Sequence, residues 1–271
     1  MVREKLRMLL WILYPVFGSI AGVLAGLLGV GGGVVIVPML VFLFTTQAFP
    51  QEHIMQMALG TSLGSIMFTS VSSFRAHHKR GAVNWDIVKR ITPGILIGTF
   101  GGTWVAAMLS TIFLKVFFAC FLYYVAAQML LNLKPRPARQ LPKTAGIFGV
   151  GGVIGAVSSL VGIGGGSLSV PFMSWCNVPM HTAIGTSAAI GFPIAVAGTL
   201  GYIVNGLYAA GLPAWNLGYL NLPALLGVAV FSMLTAPVGA GLAHKLPVIA
   251  LKRAFAFFIL FIATRMVWGI L

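Results

Sequence analysis

The chain has 271 residues, of which 59% are hydrophobic and only 7% are charged, and its formal net charge is +14. A soluble domain carries about 25% charged residues, so this chain has too little charge to cover a water-exposed surface. Repeated apolar stretches of about 20 residues, each long enough to cross ~30 Å of hydrocarbon, predict an all-α polytopic membrane protein. The Lys and Arg residues lie in the links between these stretches, which favours the positive-inside pattern over nucleic-acid binding.

The first half begins with a basic patch and a long apolar stretch. This stretch runs from Met8 to Phe44 and is interrupted by a glycine cluster at Gly31–Gly33. We expect the basic and apolar N-terminus to be retained rather than cleaved as a signal peptide, because it leads directly into that cluster. Further spans are predicted at Ile54–Phe74, near Ile91–Met108 and near Phe113–Leu131.

A link rich in Pro and basic residues, Leu133–Lys143, follows the last of these spans. Proline blocks helix continuation, and the positive charge predicts a cytoplasmic position. We therefore divide the chain into a first transmembrane repeat (1–132), a linker (133–143) and a second transmembrane repeat (144–271).

The second half repeats the order of the first. A broken segment is predicted at Ala145–Trp175, and spans are predicted near His181–Val204, Tyr219–Ala243 and Leu251–Leu271. The uncharged loop Asn205–Gly218 corresponds to the basic loop that follows Phe74 in the first half. Each half is thus expected to contain about four apolar spans, the first of them broken by glycine and therefore re-entrant or discontinuous.

Four short blocks recur in the same order, which indicates an internal duplication. They pair Gly29–Pro38 with Gly162–Pro171, Ala58–Ser62 with Ala183–Ser187, Gly81 with Gly218, and Leu114-Lys115 with Leu251-Lys252. The halves are parallel if each broken segment crosses once, and inverted if it doubles back. Both arrangements leave the same excess of Lys and Arg inside, with the N-terminus inside for parallel halves and outside for inverted ones. The short pieces after the glycines favour inverted repeats.

The two glycine clusters form the first part of a predicted substrate site. Its members are Gly31, Gly32, Gly33, Gly164, Gly165 and Gly166. A short helix after each cluster would have unpaired N-terminal amides with partial positive charge, so two facing N-termini would hold a small anion. Small residues four positions apart, as in Gly18–Gly26, indicate helix packing instead.

Hydroxyl side chains form the second part of the predicted substrate site. They are Thr61, Ser62, Thr186 and Ser187 of the two G-T-S sequences, together with Ser167. Hydroxyls in apolar helices commonly donate a hydrogen bond to the carbonyl one turn back. Because these hydroxyls are duplicated beside the glycine clusters, we weigh substrate binding as equal to that structural role. Ser167 and Ser169 occur only in the second copy, where the first has Val34 and Ile36, and this difference would make the site asymmetric.

Charged and metal-binding residue types are scarce inside the predicted spans. The three acidic residues, Glu4, Glu52 and Asp86, fall near segment ends, which argues against a cation substrate. The five histidines are expected in solvated loops, with His181 as the best exception, and Cys120 and Cys176 are expected to pack in the core. No metal site, cofactor or catalytic residue is predicted.

The doubled Gly-x-Gly-Gly-Gly-x4-Pro motif, the G-T-S spans and the closing G-x-x-L-A-x-x-L-P…L-K-R-x-F run (Gly239–Phe255) together carry a family resemblance. Over nearly its whole length the chain resembles the TauE/SafE family of sulfite exporters, also described as 4-toluene sulfonate uptake permeases. The resemblance implies a multi-pass permease of the cell inner membrane for small sulfur-containing anions, such as sulfite or organosulfonates. Members of the family differ in substrate and direction.

The leading functional hypothesis is a secondary transporter that works by alternating access of two repeats around glycine-broken helices. An anion channel, a permease for another small anion, and a scaffold for other membrane proteins remain alternatives. An intramembrane enzyme is disfavoured because no histidine is predicted mid-span, and direct ATP drive is disfavoured because the chain has no P-loop. The predicted partners are a small anionic substrate and the lipid bilayer, without nucleic acid; a homodimer is left open.

Overall fold

The computed structural model describes residues 2–28, 32–131, 140–242 and 248–269. These ranges contain ten α-helices and one two-stranded antiparallel ribbon. In chain order they are α1 (Val2–Leu28), α2 (Gly33–Thr46), α3 (Ile54–His78), α4 (Trp85–Met108), α5 (Thr111–Leu130), α6 (Thr144–Val161), α7 (Gly166–Trp175), α8 (Met180–Gly206), β1 (Asn216–Leu217), β2 (Leu220–Asn221), α9 (Leu222–Leu242) and α10 (Val248–Trp268). Of the predicted linker, residues 133–139 lie outside the described ranges.

Six helices are long and apolar enough to cross a membrane by length and composition, so the prediction of a polytopic helical membrane protein is confirmed. They are α3, α4, α5, α6, α8 and α9. The described apolar parts of α1, α2 and α10 are shorter.

The predicted starting residues of two helices are wrong. They are α4 and α9, each the fourth helix of its half. α4 begins at Trp85 rather than near Ile91, because the Asn84 side chain caps it by accepting hydrogen bonds from the amides of Asp86 and Ile87. The span predicted from Tyr219 begins instead at Leu222, because the chain before it forms the β1–β2 ribbon.

α3 and α8 form the centre of the bundle and run antiparallel. Gly60 of α3 lies against Tyr202 of α8, while Ser70, further along α3, lies near Gly191, earlier in α8. Residue numbers therefore rise along one helix as they fall along the other. These two helices are also the most buried of the six candidate spans.

Two parallel helix pairs, α1 with α9 and α4 with α6, pack through glycines spaced four residues apart. A Cβ atom on Gly18, Gly22 or Gly26 of α1 would clash with the backbone of Val228, Ser232 or Ala236, respectively. In α4, Gly94, Gly98 and Gly102 stand in the same way against Phe148, Gly152 and Ala156 of α6. Absent side chains let the backbones approach closely. The predicted packing role of Gly18–Gly26 is thereby confirmed.

The outer surface of the bundle is apolar, as a lipid-facing surface requires. Large hydrophobic side chains such as Trp104, Ile112 and Leu234 are more than half exposed. Cys120 on α5 is exposed as well, so its predicted place in the protein core is wrong, whereas Cys176 is buried as predicted.

Candidate functional site

The chain doubles back between α1 and α2. Gly32, the N-cap of α2, has the left-handed conformation φ 78°, ψ −10°, and a Cβ on it would lie 2.8 Å from the carbonyl oxygen of Ala21 in α1. At the far end of α2, Gln47 Nε2 donates a hydrogen bond of 2.9 Å to the Tyr14 hydroxyl, nearer the start of α1. α2 therefore returns antiparallel beside α1. Gly31, also predicted for the site, lies outside the described residues.

The stretch between α6 and α7, Gly162–Gly165, makes a similar turn. Gly165, the N-cap of α7, has φ 75° and ψ −7°, nearly the conformation of Gly32. A Cβ on Gly165 would clash with the Ile194 side chain and would approach the Ile154 side chain of α6 at 3.4 Å. Only glycine adopts this backbone conformation readily, so a side chain at this position would be strained.

Gly33 meets the turn between α6 and α7 in the interior. A Cβ on Gly33, the first residue of α2, would overlap the carbonyl oxygen of Gly162. The Ser62 hydroxyl of α3 donates a hydrogen bond of 2.8 Å to that same oxygen. The structure thus brings together Gly33, Ser62 and the turn that contains Gly164 and Gly165, all of them far apart in sequence.

Both short helices present uncapped N-termini at this meeting point. Neither Gly32 nor Gly165 supplies a side-chain cap. Among the first hydrogen bonds of the two helices, the Ile36 amide donates to the Gly32 carbonyl and the Ser169 amide donates to the Gly165 carbonyl. The amides of the first residues of a helix have no acceptor within the helix, and they lie at the positive end of its dipole. The arrangement offers backbone donors to an anion.

The two G-T-S threonines contact the loops of the opposite half. Thr61 Oγ1 accepts a hydrogen bond of 3.0 Å from the Asn221 amide, and Thr186 Oγ1 accepts one of 2.9 Å from the Asn84 amide. Both threonines are fully buried, as are Ser62 and Ser187. Sequence reasoning placed these hydroxyls in the interior but did not identify the backbone amides that they hold.

Three serines around the start of α7 are buried without a hydrogen-bond partner among the described residues. They are Ser158, Ser167 and Ser169. The Ser158 hydroxyl lies 3.4 Å from the Cβ position of Gly165. Ser158 was not predicted for the site, although its position offered a signal: it precedes Gly162 by four residues, about one helical turn, where the first copy has Ala25.

The carboxylates whose side chains are described lie at segment ends. Glu52 precedes α3, and Asp86 occupies the first turn of α4, where it pairs with Arg90 at 3.0 Å. Tyr219 lies in the β1–β2 turn, where burial, and then the charge of Glu52, raise the pKa of its hydroxyl above the ordinary value. Within the described ranges, no group of three His, Cys, Asp or Glu residues is placed to hold a metal ion.

His77 corrects the prediction that the histidines lie in solvated loops. It is buried in the last turn of α3, and its Nε2 atom lies 3.0 Å from the carbonyl oxygen of Gly26 in α1. His181, the predicted exception, is exposed at the start of α8. His244 lies outside the described residues. The buried imidazole is therefore a contact between helices of the first half.

Comparison with known proteins gives consistent matches over most of the chain. A family model described as Sulfite exporter TauE/SafE matches residues 14–266. A protein of Haemophilus influenzae named Probable membrane transporter protein is 39% identical over 251 residues, which are 92% of this chain and 95% of that protein. Probable membrane transporter protein YunE of Bacillus subtilis is 32% identical over 238 residues, 78% of this chain and 87% of its own length. No solved structure matches the chain.

Proposed function

The chain belongs to the sulfite exporter TauE/SafE family, and on that premise we propose that it is a secondary transporter of small sulfur-containing anions such as sulfite or organosulfonates. The family match and the relatives' names already make it a membrane transporter rather than an enzyme, and six candidate spans make it multi-pass. We place it in the cell inner membrane. The observation that carries the proposal is the contact of Gly33, at the uncapped N-terminus of α2, with the Gly162–Gly165 turn that leads into the uncapped N-terminus of α7.

The proposed substrate site lies around this contact. Its backbone part consists of Gly31–Gly33 and Gly164–Gly166, and its hydroxyl part includes Ser62, Ser167 and Ser187. Amides at a helix N-terminus bind anions without a cationic side chain, which suits a site in the membrane interior where a buried charge is costly. Thr61 and Thr186 are the sequence neighbours of Ser62 and Ser187, and their hydroxyls already accept hydrogen bonds from the loops that they hold.

We further propose that residues 1–132 and 144–271 are inverted repeats. Two matched features support the repeat. Gly32 and Gly165 have nearly the same backbone conformation, and the first helix of each half packs on the fourth helix of the other, α1 on α9 and α6 on α4. The antiparallel packing of α3 and α8, which occupy equivalent positions in the two halves, supports the inversion. Halves of this kind open a central site alternately to the two sides of a membrane.

A flux screen of the purified protein in liposomes tests the proposed function. Sulfite, sulfate, thiosulfate, an organosulfonate and a carboxylate are offered in turn, and we expect saturable flux of one or more sulfur oxyanions. Accumulation driven by an imposed proton gradient would identify coupled transport, whereas conduction that ignores the gradient would identify an anion channel. Flux restricted to the carboxylate would contradict the proposed substrate class.

Glycine variants test the proposed site. Gly32→Val and Gly165→Val introduce a side chain at a left-handed backbone position, which at Gly32 also faces the Ala21 carbonyl, so we expect loss of flux from protein that remains in the membrane. Gly81→Val is the matched control, because Gly81 also has a left-handed φ of 68° but has nothing within 4 Å of its Cβ position. Normal flux in both valine variants would exclude these glycines from the site.

A further inference from the structure

Six hydroxyls of the described residues are buried without a hydrogen-bond partner, and three of them, those of Ser158, Ser167 and Ser169, lie on the two helices that join at Gly165. Their residues are 2%, 6% and 0% exposed, and none of the three has a hydrogen-bond partner among the described residues. A serine in an apolar helix ordinarily donates to the carbonyl one turn back, as buried Ser65 does to Thr61 at 2.9 Å. A buried polar group without a partner is destabilising, so three such groups on the two helices that join at Gly165 call for a bound partner there.

Ser167 and Ser169 follow Gly165, the N-cap of α7, by two and four residues, and Ser158 approaches Gly165 from α6. The Ser158 hydroxyl is 3.4 Å from the Cβ position of Gly165, and the Ser169 amide donates to the Gly165 carbonyl at 2.8 Å. Ser167 is the second residue of α7, so its amide lies ahead of the helical hydrogen bonds. The Ser158 hydroxyl therefore lies beside the uncapped N-terminus of α7, and Ser167 and Ser169 belong to the first turn of that helix.

The first half has no equivalent cluster. The positions that match these serines hold Ala25, Val34 and Ile36, which are buried and apolar. The amides at the start of α2 thus stand beside alkyl groups, whereas those at the start of α7 stand beside free hydroxyls. Direct donors to an oxyanion are concentrated at α7.

The charge available at α7 limits the charge of the ligand. A helix N-terminus is equivalent to roughly half a positive charge. The Lys and Arg side chains that the structure describes lie in loops or towards the ends of their helices, such as Arg75 in the last turn of α3. Since the cost of removing an ion from water grows with the square of its charge, neutral donors and one helix dipole suit a monoanion far better than a dianion.

We propose that Ser158, Ser167 and Ser169, with the first amides of α7, form an asymmetric subsite that binds the oxygen atoms of a singly charged oxyanion such as a sulfonate. This inference rests on the proposed function and adds which half holds the anion and which charge state it takes. The first-half glycine cluster then contributes the opposing wall, through the contact of Gly33 with Gly162.

Competition between methanesulfonate and sulfate in proteoliposomes tests the subsite. Both ions have a tetrahedral sulfur with several oxygens, but methanesulfonate carries one charge and sulfate two. We expect saturable methanesulfonate flux, with a half-inhibiting sulfate concentration at least about a hundredfold above the KM for methanesulfonate. Ser158→Ala, Ser167→Ala and Ser169→Ala should each raise that KM by about tenfold or more, as expected for a lost hydrogen bond to a charged group. The control Ser65→Ala removes a buried hydroxyl that already has a partner, and its KM should stay within about twofold of wild type.

Stabilisation of detergent-solubilised protein by methanesulfonate gives a second reading that does not require transport. The same assay reports the stability of each variant without ligand and therefore separates misfolding from lost binding. Sulfate that stabilises or competes as well as methanesulfonate would overturn the charge selectivity. Serine variants that match Ser65→Ala in both assays would overturn the subsite while leaving the proposed function intact. Absence of all sulfur-oxyanion flux in wild type would overturn the proposed function itself.

Discussion

The backbone amide of Asn84 donates a hydrogen bond of 2.9 Å to the hydroxyl of Thr186, 102 residues away in sequence. Asn84 also caps α4 through its side chain, which accepts from the amides of Asp86 and Ile87. One residue therefore fixes both the start of α4 and the position of its loop against α8. The carbonyl of Ala82, two residues before Asn84, occupies the space that a side chain on Gly185 would need.

The same arrangement occurs at the other end of the α3–α8 pair. Asn221 donates its amide to Thr61 at 3.0 Å, and its side-chain oxygen accepts from the Ala224 amide at the start of α9. A Cβ atom on Gly60 would lie 3.1 Å from the Tyr219 carbonyl oxygen. The glycine and threonine of each G-T-S sequence thus form a docking point for a loop backbone.

Removing one docking hydroxyl should destabilise the protein. Thr186→Val is nearly isosteric but leaves the Asn84 amide without its acceptor, so we expect a loss of about 1–3 kcal/mol in the free energy of unfolding. Thermal unfolding in detergent measures it. Thr45→Val is the control, because exposed Thr45 bonds only the Val41 carbonyl of its own helix. Equal stability of the two variants would show that the Asn84–Thr186 bond contributes little.

The duplicated sequence blocks predicted these regions but not their partners. Gly81 and Gly218 were paired by sequence, and both adopt left-handed conformations three residues before Asn84 and Asn221. That the threonines of one half would hold the loops of the other depends on tertiary packing between α3 and α8. No local pattern encodes such a contact, because the amides of Asn84 and Asn221 resemble any other backbone donor.

The sequence also could not predict which residues at helix ends are buried. His77 lies beside His78 in a basic stretch, so its composition suggested a solvated loop, yet α3 continues through it and carries it against α1. Ser158 could have been identified from its register with the second glycine cluster. Its lack of a carbonyl partner, however, is a property of side-chain conformation that only the structure describes.

Close packing of α4 on α6 gives a prediction with an internal control. Gly98→Ala would push a methyl group into the Gly152 carbonyl, so the helices must separate, at a cost of about 1–3 kcal/mol in stability. Gly101→Ala, on the same helix, has nothing within 4 Å and should stabilise α4 by up to about 1 kcal/mol. Thermal unfolding of both variants is the measurement. Similar shifts in the two would mean that α4 and α6 do not pack through Gly98.

The buried His77 imidazole should act as a structural donor. A carbonyl oxygen only accepts, so the Nε2 atom must carry the proton that it shares with Gly26. His77→Ala removes this bond and leaves a void, and we expect about 2–4 kcal/mol of destabilisation. His77→Gln retains an N–H donor and should recover part of that loss in thermal unfolding. If His77→Ala is as stable as wild type, the contact does not support the fold.

The proposed inversion of the two halves makes a prediction about sidedness. Because α3 and α8 run antiparallel, their C-terminal ends lie at opposite ends of the bundle. The loop after α3 is basic, with Lys79 and Arg80, whereas the loop after α8 contains Tyr208 and no charged residue. The positive-inside rule then assigns the first loop to the cytoplasm and the second to the outside.

Single-cysteine reporters measure this sidedness directly. Lys79→Cys and Tyr208→Cys place a thiol at exposed loop positions, in a background where exposed Cys120 is replaced by Ala and buried Cys176 is kept. In intact cells, a membrane-impermeant maleimide should label position 208 and not position 79, and inverted vesicles should give the reverse. Full labelling of both after permeabilisation is the control for reactivity. Labelling of both loops from one side would require parallel halves, and the antiparallel α3–α8 pair argues against that outcome because the two loops would have to share one end of the bundle.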